Sequence, residues 1–339
     1  MKIAKTTIKD VAEKAQVSIS TVSRVINNSG YVNAETKHKV MEAIRELDFE
    51  PNPLAKGLGG GKSNTIGLIL PDITNLFFPS IARGVEDAAT VQGYTVILGN
   101  TDNVAANEES YLNVLERKSV DGIIIAGSSS DGSRIQELTT SGLPVVLVDR
   151  TFPSLTIDSV TSDNLEGAYL AVKHLVTLGH EKILFLGGGT NISTTQEREQ
   201  GYLKALRESG IPINRNLIHY GDYRFESGFD RLIEVLEKGL PFTAVFAAND
   251  LIAIGAIRAI QSRNLHVPQD FSVVGFDDIF WAKLERPPLT TVAQPIYRMG
   301  MIACELLLDK IKLPSQQEPR HIVLKPDLVL RQSTAALSL

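Results

Sequence analysis

Seven short apolar runs punctuate the chain from residue 66 onward, with helical stretches between them. Ile66-Gly67-Leu68-Ile69-Leu70, Thr95-Val96-Ile97-Leu98, Gly122-Ile123-Ile124-Ile125 and Val145-Val146-Leu147-Val148 form one set. Ile183-Leu184-Phe185-Leu186, Ala244-Val245-Phe246-Ala247 and Ser272-Val273-Val274-Gly275 form a second. Strands so uniformly apolar are buried on both faces, which means parallel sheets covered by helices. The intervening pattern predicts helices over, for instance, Ile81 to Val91 and Leu165 to Leu178. Two sets predict two doubly wound α/β lobes. Sheets of this kind bind ligands at the carboxyl ends of their strands, and two lobes add a cleft.

The first 48 residues follow a different pattern. Thr7 is a cap candidate with Asp10 three residues on, and Ile8, Val11, Ala12 and Ala15 share one helical face. Gln16-Val17 turns the chain, and Ser18 caps a second helix running to about Asn27. Val22, Val25 and Ile26 fall on its inner face; Ile19, Ser20, Thr21, Ser23 and Arg24 fall on its outer face or N-terminal end. Small polar residues followed by an arginine suit a helix end that meets base edges and phosphates, where the helix dipole adds partial positive charge. Asn33 caps a third helix with Val40, Ala43, Ile44 and Leu47 as its apolar stripe. The spacing fits an all-α helix-turn-helix unit better than the alternative, a small helical bundle that binds no nucleic acid.

Charge supports the first alternative. Residues 1–62 carry ten Lys and Arg against seven Asp and Glu, whereas the rest of the chain carries 24 against 32. A basic head on an acidic body fits DNA contact confined to one end. The single cysteine, Cys304, excludes an intrachain disulfide and falls in an apolar run, where it reads as core. No Cys/His cluster has zinc-ligand spacing, so neither metal nor cofactor is expected. MKIAKTTIKD lacks the apolar run of a signal peptide, and no stretch approaches the ~20 apolar residues of a membrane span, so a cytoplasmic protein is expected.

Residues 49–63, FEPNPLAKGLGGGKS, form a connector. Pro51 and Pro53 stop the third helix, and the glycines make Leu54 to Leu58 a poor isolated helix. Gly61-Lys62-Ser63 mimics the end of a phosphate-binding loop, but Lys56 stands where that loop needs glycine, and the strand follows instead of preceding. Gly187-Gly188-Gly189 follows a strand, yet Ile192 occupies the place of the last glycine of a dinucleotide fingerprint. Neither run predicts nucleotide binding.

Polar residues gather where a cleft ligand would be reached. Asn75, Phe77 and Phe78 follow the first run, and Asp149-Arg150 follow the fourth. Asp163-Asn164 opens the second set, Arg198 lies on the helix after the Gly187 loop, and Tyr223 sits in Gly221-Asp222-Tyr223. Asn249-Asp250 and Asp277-Asp278 each follow a strand, and Gln294 marks a crossover. Singly, an Asp after a strand caps a helix, and Phe77 and Phe78 belong to a core. Together, carboxylates, amides and guanidinium forks bond adjacent hydroxyls while aromatic rings cover apolar faces, which is the chemistry of a sugar site. No paired catalytic carboxylates, nucleophile elbow or metal cluster points to an enzyme.

TIKDVAEKAQVSISTVSRVIN resembles the N-terminal headpiece of the lac repressor family of bacterial transcription regulators. The likeness continues through Asn33-Ala34-Glu35-Thr36 and Pro51-Asn52-Pro53-Leu54-Ala55, and along the rest of the chain. It implies a headpiece at 1–48, a hinge at 49–63 and a two-lobed domain at 64–339 like the periplasmic sugar-binding proteins. The N-lobe would take about 64–160 and 295–322, and the C-lobe about 161–293 and 323–339. It implies a homodimeric repressor that contacts operator DNA through Thr7, Ser18, Ile19, Ser20, Thr21, Ser23, Arg24, Asn27, Tyr31, Lys56 and Leu58. In the family the hinge orders on DNA and wedges a leucine, here Leu58, into the minor groove.

Two positions in the headpiece and hinge depart from the family. Gln16 stands where the turn usually carries glycine, at a strain of about 1 kcal/mol if the backbone there is left-handed. Lys56 replaces an arginine and loses its planar fork. The matching effector residues are Asn75, Phe77, Phe78, Asp149, Arg150, Asn164, Arg198, Tyr223, Asn249, Asp277 and Gln294, with Tyr223 in place of a phenylalanine. PDITNLFFPSIARGVEDA is similar to the ribose operon repressors, which implies D-ribose or a close sugar as effector. Other members suggest two alternatives: a global catabolite regulator that uses a phosphorylated carrier protein, or a purine-type corepressed regulator. The C-terminal Ser333–Leu339 lacks a heptad run, so no tetramerising coiled coil is expected.

Overall fold

A computed structural model describes residues 6–27, 29–49, 62–127, 132–152, 154–313 and 318–337. The chain divides into two compact units, one made of residues up to Asn64 with 117–119, the other of the remainder.

In the first unit, α1 (Ile8–Lys14), α2 (Ile19–Asn27) and α3 (Ala34–Glu46) close on one small core. Val11, Val22 and Val40 are fully buried there, with Ala43 and Val25 beside them. Each helix begins on a polar cap. Asp10 Oδ2 accepts from the Thr7 backbone N–H (2.7 Å) and hydroxyl (2.8 Å), Ser18 Oγ accepts from Thr21 N–H (3.1 Å), and Asn33 Oδ1 accepts from Thr36 N–H (2.8 Å). The turn between α1 and α2 passes through a left-handed Gln16, φ +56°.

The second unit holds two six-stranded sheets. The first runs β11-β5-β4-β3-β1-β2 and is parallel throughout. Its strands are β1 (Thr65–Leu70), β2 (Thr95–Asn100), β3 (Gly122–Ile125), β4 (Val145–Val148), β5 (Ser159–Ser162) and β11 (His321–Leu324). Leu68, Ile124 and Val146 stand in line across the middle. Alternate residues serve opposite faces. Ile66, Leu68 and Leu70 pack under α4 (Phe77–Val91) and α12 (Ile296–Lys312). Ile69, Ile123 and Ile125 pack under α5 (Ala105–Arg117) and α6 (Ser133–Thr140). α4 and α12 meet through glycines: a Cβ on Gly84 would stand 2.1 Å from Tyr297 O, and one on Gly300 2.2 Å from Ile81 O.

The second sheet runs β12-β10-β9-β8-β6-β7, parallel except for β12 on β10. Its strands are β6 (Ile183–Gly187), β7 (Ile218–Tyr220), β8 (Ala244–Ala247), β9 (Ser272–Asp277), β10 (Thr290–Ala293) and β12 (Asp327–Val329). α7 (Asn164–Thr177), α8 (Ser193–Glu208), α9 (Phe225–Glu237), α10 (Asp250–Ser262) and the short α11 (Phe280–Leu284) belong to this lobe, whose core gathers Phe185, Tyr202 and Phe246. The chain passes between the sheets after β5, after β10 and after β11. The two doubly wound lobes and the helical headpiece are the fold class expected from the apolar runs.

One sequence expectation needs correction. The helix expected from Ile81 begins at Phe77, because Pro79 sits in its first turn, where a missing N–H costs nothing. The strands β5, β7, β10, β11 and β12 lie outside the seven apolar runs, because β5 is polar and the others span only three or four residues. Among the described residues no helix is long and apolar enough to cross a membrane.

Candidate functional site

Two places collect functional side chains, one in each unit. On the headpiece, α2 turns Val22 and Val25 inward and leaves Ile19, Ser20 and Arg24 exposed, with Thr21 and Ser23 half-buried. Ser18 Oγ lies 2.7 Å from Ser20 Oγ and 2.8 Å from Thr21 Oγ1, so the helix opens on a cluster of hydroxyls. Tyr31 is 90% exposed. An aromatic ring held almost wholly in solvent gains nothing from the fold and is free to meet a partner. Thr7 is exposed, but its hydroxyl already donates to Asp10. The side chain of Asn27, and Lys56 and Leu58 with most of the hinge, lie outside the described residues.

In the second unit, strand ends from both lobes converge on one cavity. It is lined by Asn75, Phe77 and Phe78 after β1, Asp149 and Arg150 after β4, Thr194 and Arg198 on α8, Tyr223 after β7, Asn249 after β8 and Asp277 at the end of β9. The free space among them is about 20 Å³. That is far below the roughly 300–1,000 Å³ of ordinary ligand sites. A ligand of ordinary size fits only if the lobes part. Arg224 Nε and Asp72 Oδ2 face each other across the rim at 3.8 Å, and Thr151 N–H donates to Ser193 Oγ at 3.1 Å, so polar contacts span the two lobes.

The charged groups are paired and held. Arg150 Nε lies 3.6 Å from Asp149 Oδ2, and Arg150 Nη1 donates to Asn103 Oδ1 at 3.0 Å. Arg198 donates from Nε to Asn164 Oδ1 (2.9 Å) and from Nη1 to the Ala248 carbonyl, and it stands 3.7 Å from Asp277 Oδ1. Its guanidinium carbon sits 3.8 Å from the centre of the Phe276 ring. Tyr223 lies between the two arginines, 5.8 Å from Arg150 and 6.0 Å from Arg198. Its hydroxyl is 3.1 Å from Thr194 Oγ1 and 2.8 Å from Thr195 Oγ1, which fixes the ring as a wall.

Asp149 (φ +71°) and Asp277 (φ +114°) are both in left-handed backbone. Each such residue costs on the order of 1–3 kcal/mol, a strain that gathers where side chains must be aimed at a ligand. Burial raises the Asp149 carboxyl above its usual value, against the pull of Arg150 and Arg198. Burial likewise pushes Asp277 up to about 7, with Arg198 lowering it and Asp149 raising it further. Asp250, behind the cavity, is driven well upward by burial and by Asp277, although it accepts from Thr291 Oγ1 and from Ile279 N–H.

Nine of the eleven sequence-expected cleft residues therefore share the cavity wall. Asn164 and Gln294 do not, because each is spent on a charged neighbour. Asn164 holds Arg198 Nε, and Gln294 Nε2 donates to Asp277 Oδ1 at 2.7 Å. Gln294 Oε1 is buried without a partner. Asn249 lines the wall while its Oδ1 caps α10 through Ile252 N–H (2.9 Å), so one side chain caps a helix and borders the cavity. Sequence reasoning missed Thr194 and Glu197. Thr194 follows a glycine-rich loop that opens a helix, a recognisable polar helix start; nothing in the local sequence marks Glu197.

The comparisons agree with both units. Residues 7–52 match the family described as bacterial regulatory proteins, lacI family. Residues 63–331 match the periplasmic binding proteins and sugar binding domain of the LacI family. The chain is 39% identical over 331 residues to the ribose operon repressor of Haemophilus influenzae, covering 98% of this chain and 99% of that protein. It is 40% identical over 302 residues to the catabolite control protein A of Priestia megaterium, covering 89% and 91%. Among solved structures, the lac repressor dimer bound to operator and the anti-inducer ONPF superposes with a TM-score of 0.84 at 31% identity, covering 98% of this chain and all of that one.

Proposed function

The chain belongs to the lacI family of bacterial regulatory proteins, and on that premise we propose that it represses a sugar-utilisation operon, with D-ribose or a close relative as effector. It is a DNA-binding transcription regulator, not an enzyme. Two headpieces on a homodimer read a pseudo-palindromic operator, with α2 in the major groove and Ser18, Ile19, Ser20, Thr21, Ser23 and Arg24 near the bases and phosphates. Sugar bound between the lobes changes operator affinity through a coupling free energy, typically about 1–3 kcal/mol.

One observation carries the effector class: two arginine–aspartate pairs and three aromatic rings line one cavity. Each positive charge there has a negative neighbour, Arg150 with Asp149 and Arg198 with Asp277. A cavity in which each guanidinium faces a carboxyl and which is rich in bidentate donors and acceptors suits a polyol, with Phe77, Phe78 and Tyr223 for its apolar faces.

A second reading, a global catabolite regulator co-regulated by a phosphorylated carrier protein, draws on the 40% identity to catabolite control protein A. Identity alone does not separate it from the ribose repressor at 39%. The sugar-type residues gathered on the cavity wall, which a protein co-regulator does not require, favour the first.

The test is fluorescence anisotropy of an inverted-repeat fragment from upstream of the gene, at fixed salt because phosphate contacts make affinity salt-dependent. D-ribose is expected to raise the dissociation constant about tenfold or more, which is about 1.4 kcal/mol. Tight DNA binding that ignores ribose but responds to the phosphorylated carrier protein would transfer the proposal to the second reading.

A further inference from the structure

Glu197 precedes Arg198 on α8, and its side chain does not line the cavity. Its Oε2 accepts from Asn164 Nδ2 at 2.8 Å, and Asn164 Oδ1 accepts from Arg198 Nε at 2.9 Å. A guanidinium only donates, so Asn164 Oδ1 faces Arg198 and its Nδ2 faces the Glu197 oxygen, which leaves the amide one workable orientation. Asn164 Nδ2 also reaches the Ser162 carbonyl, at the longer distance of 3.2 Å. The other neighbours of Arg198 are the Ala248 carbonyl, Asp277 Oδ1 at 3.7 Å and the rings of Phe276 and Tyr223, which restrain one end and the tilt of the guanidinium. The Asn164 bond to Nε fixes its rotation in plane.

We propose that Glu197 is a positioning residue for the cleft: through Asn164 it sets the plane of Arg198, and with it the grip of that arginine on neighbouring hydroxyls of the sugar. The assignment rests on the reading of this cleft as a sugar site. Removal of the Glu197 carboxylate leaves the Asn164 amide held only by its longer bond to the Ser162 carbonyl, which loosens the in-plane restraint on Arg198. A purely structural role, in which Glu197 only ties α8 to the start of α7, would lower stability and leave ligand recognition intact.

The experiment compares the full chain with Glu197→Ala and Glu197→Gln, whose Oε1 keeps the acceptor for Asn164. Calorimetry with D-ribose is expected to show about tenfold weaker binding for Glu197→Ala and binding within about threefold of the unmodified chain for Glu197→Gln. Glu197→Ser replaces the alanine variant if that variant does not fold. Binding by the alanine variant within threefold of the unmodified chain, or equal weakening by both variants, overturns the proposal. If the unmodified chain takes up no D-ribose, the effector assignment fails separately, and the Arg198 Nε–H NMR signal decides. That signal is identified by its loss in Arg198→Lys. Its exchange with water is expected to accelerate in Glu197→Ala and not in Glu197→Gln, and unchanged exchange in Glu197→Ala overturns the proposal.

Discussion

Arg224 Nε stands 3.8 Å from Asp72 Oδ2, and the pair joins the rims of the two lobes. Asp72 is itself anchored, because its Oδ1 accepts from Thr74 N–H (2.9 Å) and Thr74 Oγ1 (2.6 Å). With about 20 Å³ free inside, ligand traffic needs this rim to open. The Arg224 side chain is half exposed, so solvent screens the pair and its worth is at most about 1 kcal/mol. Arg224→Ala is expected to speed sugar release up to about fivefold with little change in association, since contact changes fall mainly on dissociation. Stopped-flow displacement measures it; an unchanged release rate removes the pair from the gate.

Gln16 provides a test in the headpiece. Its φ of +56° lies in the left-handed region, where a side chain crowds the following carbonyl. Val17 N–H donates to Ala12 O at 3.0 Å, so the turn depends on that conformation. Gln16→Gly is expected to stabilise the headpiece by up to about 1 kcal/mol, less the extra entropy of glycine in the unfolded chain. Denaturant unfolding followed by headpiece amide signals would reveal the gain, and a loss would show that the glutamine side chain makes a compensating contact.

The sequence revealed most where periodicity alone decides position. Val11, Val22 and Val40 could be placed in the headpiece core by spacing, and Ile66 to Leu70 in a buried strand by unbroken apolarity. It revealed less where tertiary neighbours decide. Ser159–Ser162 is a central strand of its sheet although half its residues are serine, because β4 and β11 flank it on either side. Asn164 was recognisable as a polar residue near a strand end, but its direction depends on Glu197 and Arg198, more than thirty residues later in the chain. Residue type locates the chemistry; the fold decides which atoms face the ligand and which hold those that do.

Arg24 offers a test of the DNA-facing surface. It is exposed on α2, one turn beyond the hydroxyl cluster at Ser18, and Gly30 passes close to its aliphatic stem. Arg24→Ala leaves the buried Val22 and Val25 untouched, so helix content should not change. A loss of about 1–3 kcal/mol confined to the cognate site indicates base readout, whereas uniform weakening with a shallower salt dependence indicates a phosphate contact. Anisotropy titrations on cognate and scrambled duplexes at two salt concentrations distinguish them. Unchanged affinity on both would remove Arg24 from the interface.

Asp277 links the cleft to pH. Its carboxyl titrates near 7 in the folded chain against an ordinary value of 3.8, chiefly because it is buried. Between those values the folded state holds a proton that the unfolded state has released, so this group's contribution to stability falls as pH rises from about 4 to about 7 and is level above. Asp277→Asn removes the titration while keeping an acceptor for Gln294 Nε2. The stability of the variant relative to the unmodified chain is therefore expected to improve steadily from pH 5 to pH 7.5. Sugar affinity should fall most above pH 7, where the native carboxylate offers acceptors that the amide does not. Thermal melts and calorimetry across that range check both. A stability difference independent of pH would show that Asp277 stays ionised in the folded chain, with Arg198 at 3.7 Å outweighing burial.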